Sequence, residues 1–296
     1  MSEKRSSSRI QLLDVGPFVI ELKTKLAQVQ RSFSMLYSDF PTTSQECYID
    51  YYIELKAPNV FRKLIRPQAS FLLDGFMPFK PLPHAEAYPM FEWGLNWCIA
   101  TQAHQYLMLH AATLEKNGQA LILPAPPGSG KSTLCALLNH SGWRLLSDEF
   151  TLFDLKTHML HPLVRPISLK NQSIDILRAF SSKVEIGSLV QGTSKGTVAH
   201  IKPLLNCVQQ AKQTAAPAWI VFPKFEEGSP TRITAPHKAD MFMKVIENSF
   251  NYSELGKAGF WAAKKLLDKC VCFDMTYSDI DEALTFFTSL SEGEVN

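Results

Sequence analysis

Two short stretches of this chain carry residue types and spacings that could do phosphate chemistry. Leu121-Ile-Leu-Pro-Ala-Pro-Pro-Gly-Ser-Gly-Lys-Ser-Thr-Leu134 reads as an apolar strand, a Gly/Pro loop and a helix that opens at Lys131. A loop of this kind turns successive backbone N–H groups towards one point, and the helix start adds free N–H groups and partial positive charge. The concavity suits a phosphate. Its candidate lining is Pro127, Gly128, Ser129, Gly130, Lys131, Ser132 and Thr133. Lys131 would neutralise the β- and γ-phosphates of a nucleotide, and the Ser132 hydroxyl would ligate Mg²⁺. The full phosphate-loop pattern asks for glycine where this chain has Ala125.

Phosphoryl transfer also needs an anionic group to position the metal, a base for the acceptor, and cations for the transferred group. Asp148-Glu149 follows directly on an apolar segment, Trp143 to Ser147, and only 16 residues separate Lys131 from Asp148. That is room for one helix and one strand, so the acids and the loop should leave one edge of a sheet as neighbours. Either acid can bind Mg²⁺ and either can accept a hydroxyl proton. Asp148 is assigned to the metal or the acceptor hydroxyl, with Glu149 sharing the work. His110, flanked by Leu109 and two alanines, is a further catalytic candidate, although a lone strand histidine is more often a satisfied core residue. Arg165 is the candidate cation for the phosphoryl group, since arginine grips phosphate oxygens through parallel hydrogen bonds. Lys170, Lys195 and His200 lie nearby in sequence.

The elements that must position these groups fall into two sections. Residues 1–105 read as a smaller α+β section, and residues 106–296 as an α/β domain with a mixed sheet. In the first section, strands are predicted at Val15–Leu22, Cys47–Glu54 and Ala69–Leu73. Helices are predicted at Lys23–Tyr37 and, unusually aromatic, Glu86–Ala103. The second section opens with strand Tyr106–Glu115, an Asn-Gly hairpin turn, and strand Gln119–Pro124. Helix Ser132–Asn139 and strands Trp143–Ser147 and Thr151–Leu155 follow. The last two are joined so briefly that they should be antiparallel. Strands at Ala218–Phe222 and Val271–Thr276 and helices at Lys238–Asn251, Glu254–Lys269 and Ile280–Leu290 complete it. Gln191–Thr197 has the composition of a mobile loop.

Composition narrows the partners. With 296 residues, 46% of them hydrophobic, the chain can bury ample core, and a net charge of +2 gives no reason to expect nucleic acid or an anionic membrane. No run reaches the apolar length of a membrane span. The N-terminal MSEKRSSSR lacks the apolar region of a secretory signal and reads as a polar tail. Six scattered cysteines suggest neither a disulfide framework nor a zinc site, and point to the reducing cytoplasm.

Leu109-His110-Ala111, the loop Pro126 to Ser132, and Gly142-Trp-Arg-Leu-Leu-Ser-Asp-Glu149 resemble the core of the bacterial HPr kinase/phosphorylase family. Phe91-Glu-Trp-Gly-Leu-Asn-Trp97, Arg165 to Asn171, Lys195 to His200 and Phe250-Asn-Tyr-Ser253 look most like its HprK-related kinase A group. The resemblance implies a P-loop kinase core like the HPr kinase C-terminal domain and phosphoenolpyruvate carboxykinase, using ATP and Mg²⁺. It implies that Asp148 binds the metal, that the acceptor's base falls at Glu149 where the family has aspartate, and that His110 lies by the acidic pair. It also implies a homo-oligomer. The family's C-terminal signature for its protein substrate is not recognisable, so the acceptor is a serine of a small carrier protein or a free metabolite. A nucleotide-sensing regulator without transfer, motivated by Ala125 and Glu149, and a P-loop ATPase are the alternatives.

Overall fold

The computed structural model describes residues 9–42, 47–126 and 128–294; the tail residues 1–8, and Pro127 of the glycine loop, lie outside the described residues. The chain is a mixed α/β protein. Its first part runs β1 (Arg9–Asp14), β2 (Val19–Thr24), α1 (Ala27–Leu36), β3 (Tyr51–Lys56), α2 (Phe61–Leu64), β4 (Gln68–Leu73), β5 (Leu82–Pro83) and α3 (Ala87–Gln102). The five strands form one sheet in chain order, parallel only between β2 and β3. The single strand expected over Val15–Leu22 is instead the turn and second arm of a β1–β2 hairpin. Gly16 makes that turn at φ +85°, and a Cβ there would collide with the Pro162 carbonyl. Helix α1 starts later than its apolar spacing suggested because β2 extends to Thr24, whose hydroxyl accepts the Leu26 N–H at 3.1 Å.

Helix α3 is apolar nearly all round, as a helix covered on several sides must be. Gly94 lets it approach β4 so closely that any side chain there would strike the Phe71 ring. The apolar core around α1, α3 and this sheet continues without a break into Tyr106, Met108, Phe150 and Leu152 of the next sheet.

The second part begins β6 (Tyr106–Lys116), β7 (Gln119–Pro124), α4 (Lys131–His140), β8 (Arg144–Ser147), β9 (Phe150–Asp154) and β10 (Leu160–His161). A small sheet follows, with β11 (Ile167–Lys170), α5 (Gln172–Phe180), β12 (Val190–Thr193), β13 (Gly196–Ile201) and α6 (Leu205–Gln209). The chain then runs β14 (Ala216–Phe225), β15 (Arg232–Thr234), α7 (Lys238–Glu247), α8 (Tyr252–Leu255), α9 (Lys257–Lys269), β16 (Val271–Tyr277) and α10 (Ile280–Glu292). The large sheet has the order β10-β9-β6-β7-β14-β16-β15, with β8 also on β6. It is mixed: β7, β14 and β16 are parallel, while β6 and β15 run against their neighbours.

Strand β7 shows why the sheet is buried on both faces. Leu121 and Leu123 join a core with α4 and α10, whereas Ala120 and Ile122 pack with α7 and α9. The period-two alternation of a strand thus places apolar residues on both sides. Beyond α7 the chain returns to β6. Buried Asn251 accepts the Met108 N–H at 3.0 Å and donates to the Tyr106 carbonyl at 2.9 Å. Asn251→Ala strands both backbone groups, so we expect a loss of about 2–3 kcal/mol, read as a lower urea midpoint with an unchanged slope.

Candidate functional site

The two acids occupy a break in a strand. Strands β8 and β9 are not antiparallel to each other, the arrangement that their closeness in sequence predicts. Both pair antiparallel with β6 and so follow one another along it: Arg144 lies opposite Glu115 and Ser147 opposite Thr113, then Phe150 opposite His110. Asp148 and Glu149 are the two residues at which this line leaves the ladder, as in a bulge, which keeps direction while re-aiming side chains. The Ser147 hydroxyl fixes the break by accepting the N–H groups of Glu149 at 3.3 Å and Phe150 at 3.0 Å.

Strand β7 also runs antiparallel to β6, with Pro124 opposite Ala111. The glycine loop and the acids therefore leave the sheet at one edge, on either side of β6. Gly128 and Gly130 hold φ of +90° and +87°. Gly128 faces open space, whereas a Cβ on Gly130 would lie 3.0 Å from the Tyr277 hydroxyl and 3.2 Å from Phe225 Cβ. The Phe225 N–H donates to the Ser129 carbonyl at 3.1 Å, tying the loop to the end of β14. Gly130→Ala combines a left-handed backbone with tight contacts, and we expect it to cost about 1–3 kcal/mol, measured as a lower melting temperature.

Lys131 is the first residue of α4 and is buried, with no hydrogen-bond partner for its Nζ. Burial lowers its pKa, and the charges of Glu149 and Asp148 act in the opposite sense. The Ser129 hydroxyl beside it is likewise buried without a partner. Thr133 points elsewhere, its hydroxyl donating to Ser173 of α5 at 2.6 Å.

Asp148 is buried and its Oδ2 accepts the Ser168 N–H at 3.0 Å. Burial first, and then the neighbouring Glu149 charge, push its pKa up to about 7. Glu149 behaves oppositely. Burial raises its pKa, but the His110 imidazole, with Nε2 3.7 Å from Oε1, and the Lys131 charge outweigh that and bring it below the ordinary range. His110 thus stands by the acidic pair, its backbone N–H held by the Asn248 carbonyl at 2.7 Å.

Ser132, Asp148 and Glu149 open onto a cleft of about 410 Å³, solvent at its mouth included. Its other walls come from elsewhere in the chain. Ser168 and Lys170 share one face of β11 by strand alternation, with Pro166 just ahead of the strand, while Ile167 and Leu169 point into the core. His200 lies directly opposite Ser168 on β13. Helix α3 of the first part contributes Glu92, Trp93 and Asn96. The aromatic density of this helix reads as core packing in the sequence, and most of it is; Trp93 is the exception. A usable signal was Glu92 and Asn96, polar residues four apart in an otherwise apolar helix.

Arg165 reaches the cleft wall, but its guanidinium serves α3. It donates to Glu92 Oε2 from Nε at 3.3 Å and Nη2 at 2.7 Å, to the Glu92 carbonyl at 3.0 Å, and to Asn96 Oδ1 at 2.6 Å. The expected grip on a transferred phosphoryl is not what these bonds provide. Arg165 instead locks the small sheet's entry to the first part of the chain. Gln191–Thr197, expected as a mobile loop, is most of the β12–β13 hairpin. The Thr193 hydroxyl closes it by donating to the Gly196 carbonyl and accepting the Lys195 N–H. Lys195 thereby lies with its Nζ 4.6 Å from the centre of the Trp93 ring.

Among the described residues, buried side-chain polar atoms without a partner include Ser129 Oγ, Lys131 Nζ, Ser168 Oγ and His200 Nε2, all at or beside this cleft. Such atoms are costly unless something polar meets them. The cationic Lys131 and the loop suit an anion. The Ser132 hydroxyl and two carboxylates form an all-oxygen set that suits a hard cation. No group of three or more His, Cys, Asp or Glu side chains is placed to hold a metal ion among the described residues, so a cation here would share its ligands with the anion and with water. No helix among them is long and apolar enough to cross a membrane. No protein-family model matches the chain, and no curated protein matches it.

Proposed function

We propose that this protein is an ATP- and Mg²⁺-dependent phosphotransferase with a P-loop kinase core, of the kind its resemblance to HPr kinase implies. The observation that carries the reading is Lys131. A buried ammonium with no partner, at a glycine loop and helix start, beside two carboxylates, is an unsatisfied arrangement that a nucleotide's phosphates complete. The loop's N–H groups and Lys131 hold the β- and γ-phosphates. Ser132 with Asp148 or Glu149 would hold Mg²⁺, which when bound neutralises charge on the phosphate oxygens. Glu149, whose carboxyl stays ionised and is half-exposed to the cleft, accepts the proton of an acceptor hydroxyl, and His110 positions it. Asp148, more deeply buried, is fixed by the Ser168 N–H.

Six free cysteines suit a reducing compartment, which fits a cytoplasmic kinase. The test is to incubate the protein with Mg²⁺ and ATP labelled at the γ-phosphate, together with a fractionated extract. Label should enter a polypeptide or a metabolite, and Lys131→Met should lower the rate at least 100-fold. Equal labelling by wild type and Lys131→Met counts against the proposal.

A further inference from the structure

The charges of the cleft do not all serve the nucleotide. Glu92 and Arg165 cancel as a buried pair. Lys131 faces Asp148 and Glu149. Lys170 and Lys195 remain, and among the described residues neither makes an ion pair with a carboxylate. They sit on one wall. Lys195 feels Lys170 and Glu149, while Lys131 feels Glu149, Asp148 and Lys170. The electrostatic neighbours thus run from Lys131 through the acids to Lys170 and on to Lys195. Lys170 and Lys195 share Glu149 as their acidic neighbour and repel each other, and the hairpin that holds Lys195 there is fastened. The Asn171 side chain accepts the Thr197 N–H at 3.0 Å, and any side chain on Gly196 would strike Asn171.

The same wall carries two of the partnerless buried atoms, Ser168 Oγ and His200 Nε2. They face one another across the β11–β13 ladder. A small polar ligand in the cleft would supply the partners these atoms lack. Burial also lowers the His200 pKa to about 4, so the imidazole is neutral and its Nε2 is a hydrogen-bonding atom, not a third cation. On this wall the Trp93 ring carries the Lys195 ammonium over its face.

We propose that Lys170 and Lys195, with Ser168, His200 and Trp93, form an anion subsite for the phosphoryl acceptor. The acceptor is then a small molecule that carries a phosphate or carboxylate as well as its hydroxyl. This rests on the phosphotransferase reading for the word acceptor, while the anion subsite stands on the lysines alone. In the transfer, the acceptor oxygen bonds to the γ-phosphorus as the bond from that phosphorus to the bridging oxygen breaks. The electron pair leaves with ADP, and the hydroxyl proton passes to Glu149. An anion anchored on Lys170 and Lys195 holds the acceptor beside Glu149.

The test is calorimetric titration of sn-glycerol 3-phosphate, glycerate and glycerol into the full chain, its Lys131→Met variant and its Lys170→Met/Lys195→Met variant. The anions should bind wild type and Lys131→Met alike, glycerol should give no heat, and the double variant should bind the anions at least tenfold more weakly. The stronger of the two anions identifies phosphate or carboxylate as the recognised group. Mg·ATP titrated alongside should bind the double variant as it binds wild type. Absence of Mg·ATP binding to wild type would remove the phosphotransferase reading and leave the anion result standing. Anion binding lost in Lys131→Met and kept in the double variant would overturn the subsite. So would a double variant that loses nucleotide and anion together, or no heat from either anion, the result expected for a protein serine as acceptor.

Discussion

Asp148→Asn should slow the loss of the γ-phosphoryl from labelled ATP by about 10²–10⁴-fold and should make the protein more stable at neutral pH. The rate effect follows from losing a carboxylate beside the phosphates, and the stability effect from how Asp148 titrates. Asp148 is buried beside a second carboxylate, and burial and that neighbour raise its pKa to about 7. The folded protein therefore holds a proton that the unfolded chain has released. Stability from this group is fully present below the ordinary carboxylate pKa near 4 and is lost as pH rises through about 7. Asparagine removes the ionisation and keeps an oxygen to accept the Ser168 N–H. The gain over wild type should be absent near pH 4, grow between pH 4 and 7, and stay constant above it. We expect about 1–3 kcal/mol at pH 8. Melting temperatures of the two proteins at pH 4.5 and pH 8 check this, and a constant difference across that range contradicts it.

The second large effect lies at Arg165. Its buried pair with Glu92 also takes hydrogen bonds from Tyr37, whose hydroxyl is 2.9 Å from Glu92 Oε1, and from Tyr88. Removing one partner of such a pair leaves a buried charge uncompensated. Arg165→Met should cost about 3–5 kcal/mol, or about 6–20 °C in melting temperature at roughly 2–4 °C per kcal/mol. Glu92→Met/Arg165→Met should recover a large part of the loss, because replacing both charges by apolar groups can be nearly neutral. A double variant as unstable as the sum of the two single ones would show that the pair is not the connection we describe. Because Glu92, Trp93 and Asn96 share one stretch of α3, Arg165→Met should also loosen the cleft wall.

Local signals explain which parts of this fold were legible in the sequence. The β6–β7 hairpin was readable because Asn117 and Gly118 both need positive φ, and they hold 56° and 80°. Strand β7 and the start of α4 followed from an apolar run meeting a glycine loop. The relation of β8 to β9 was not readable, since a short connection is ordinarily a hairpin and only the pairing with β6 reveals a break in one line. The acids were legible as an adjacent pair at the end of a strand, but the reason they stand out from the sheet is that break. Arg165 was legible as a candidate phosphate-binding cation and not as the buried partner of Glu92, 73 residues away in sequence. Trp93 was hidden among the aromatics of an apolar helix. Contacts between distant segments leave no periodic trace in either segment.

Titration of Mg·ATP into the protein by calorimetry tests the central claim most directly. One saturable site is expected, weakened at least 100-fold by Lys131→Met because the loop's ammonium is then gone, and unaffected by Lys170→Met/Lys195→Met. A wild-type protein that is folded by circular dichroism and gives no heat with Mg·ATP contradicts it.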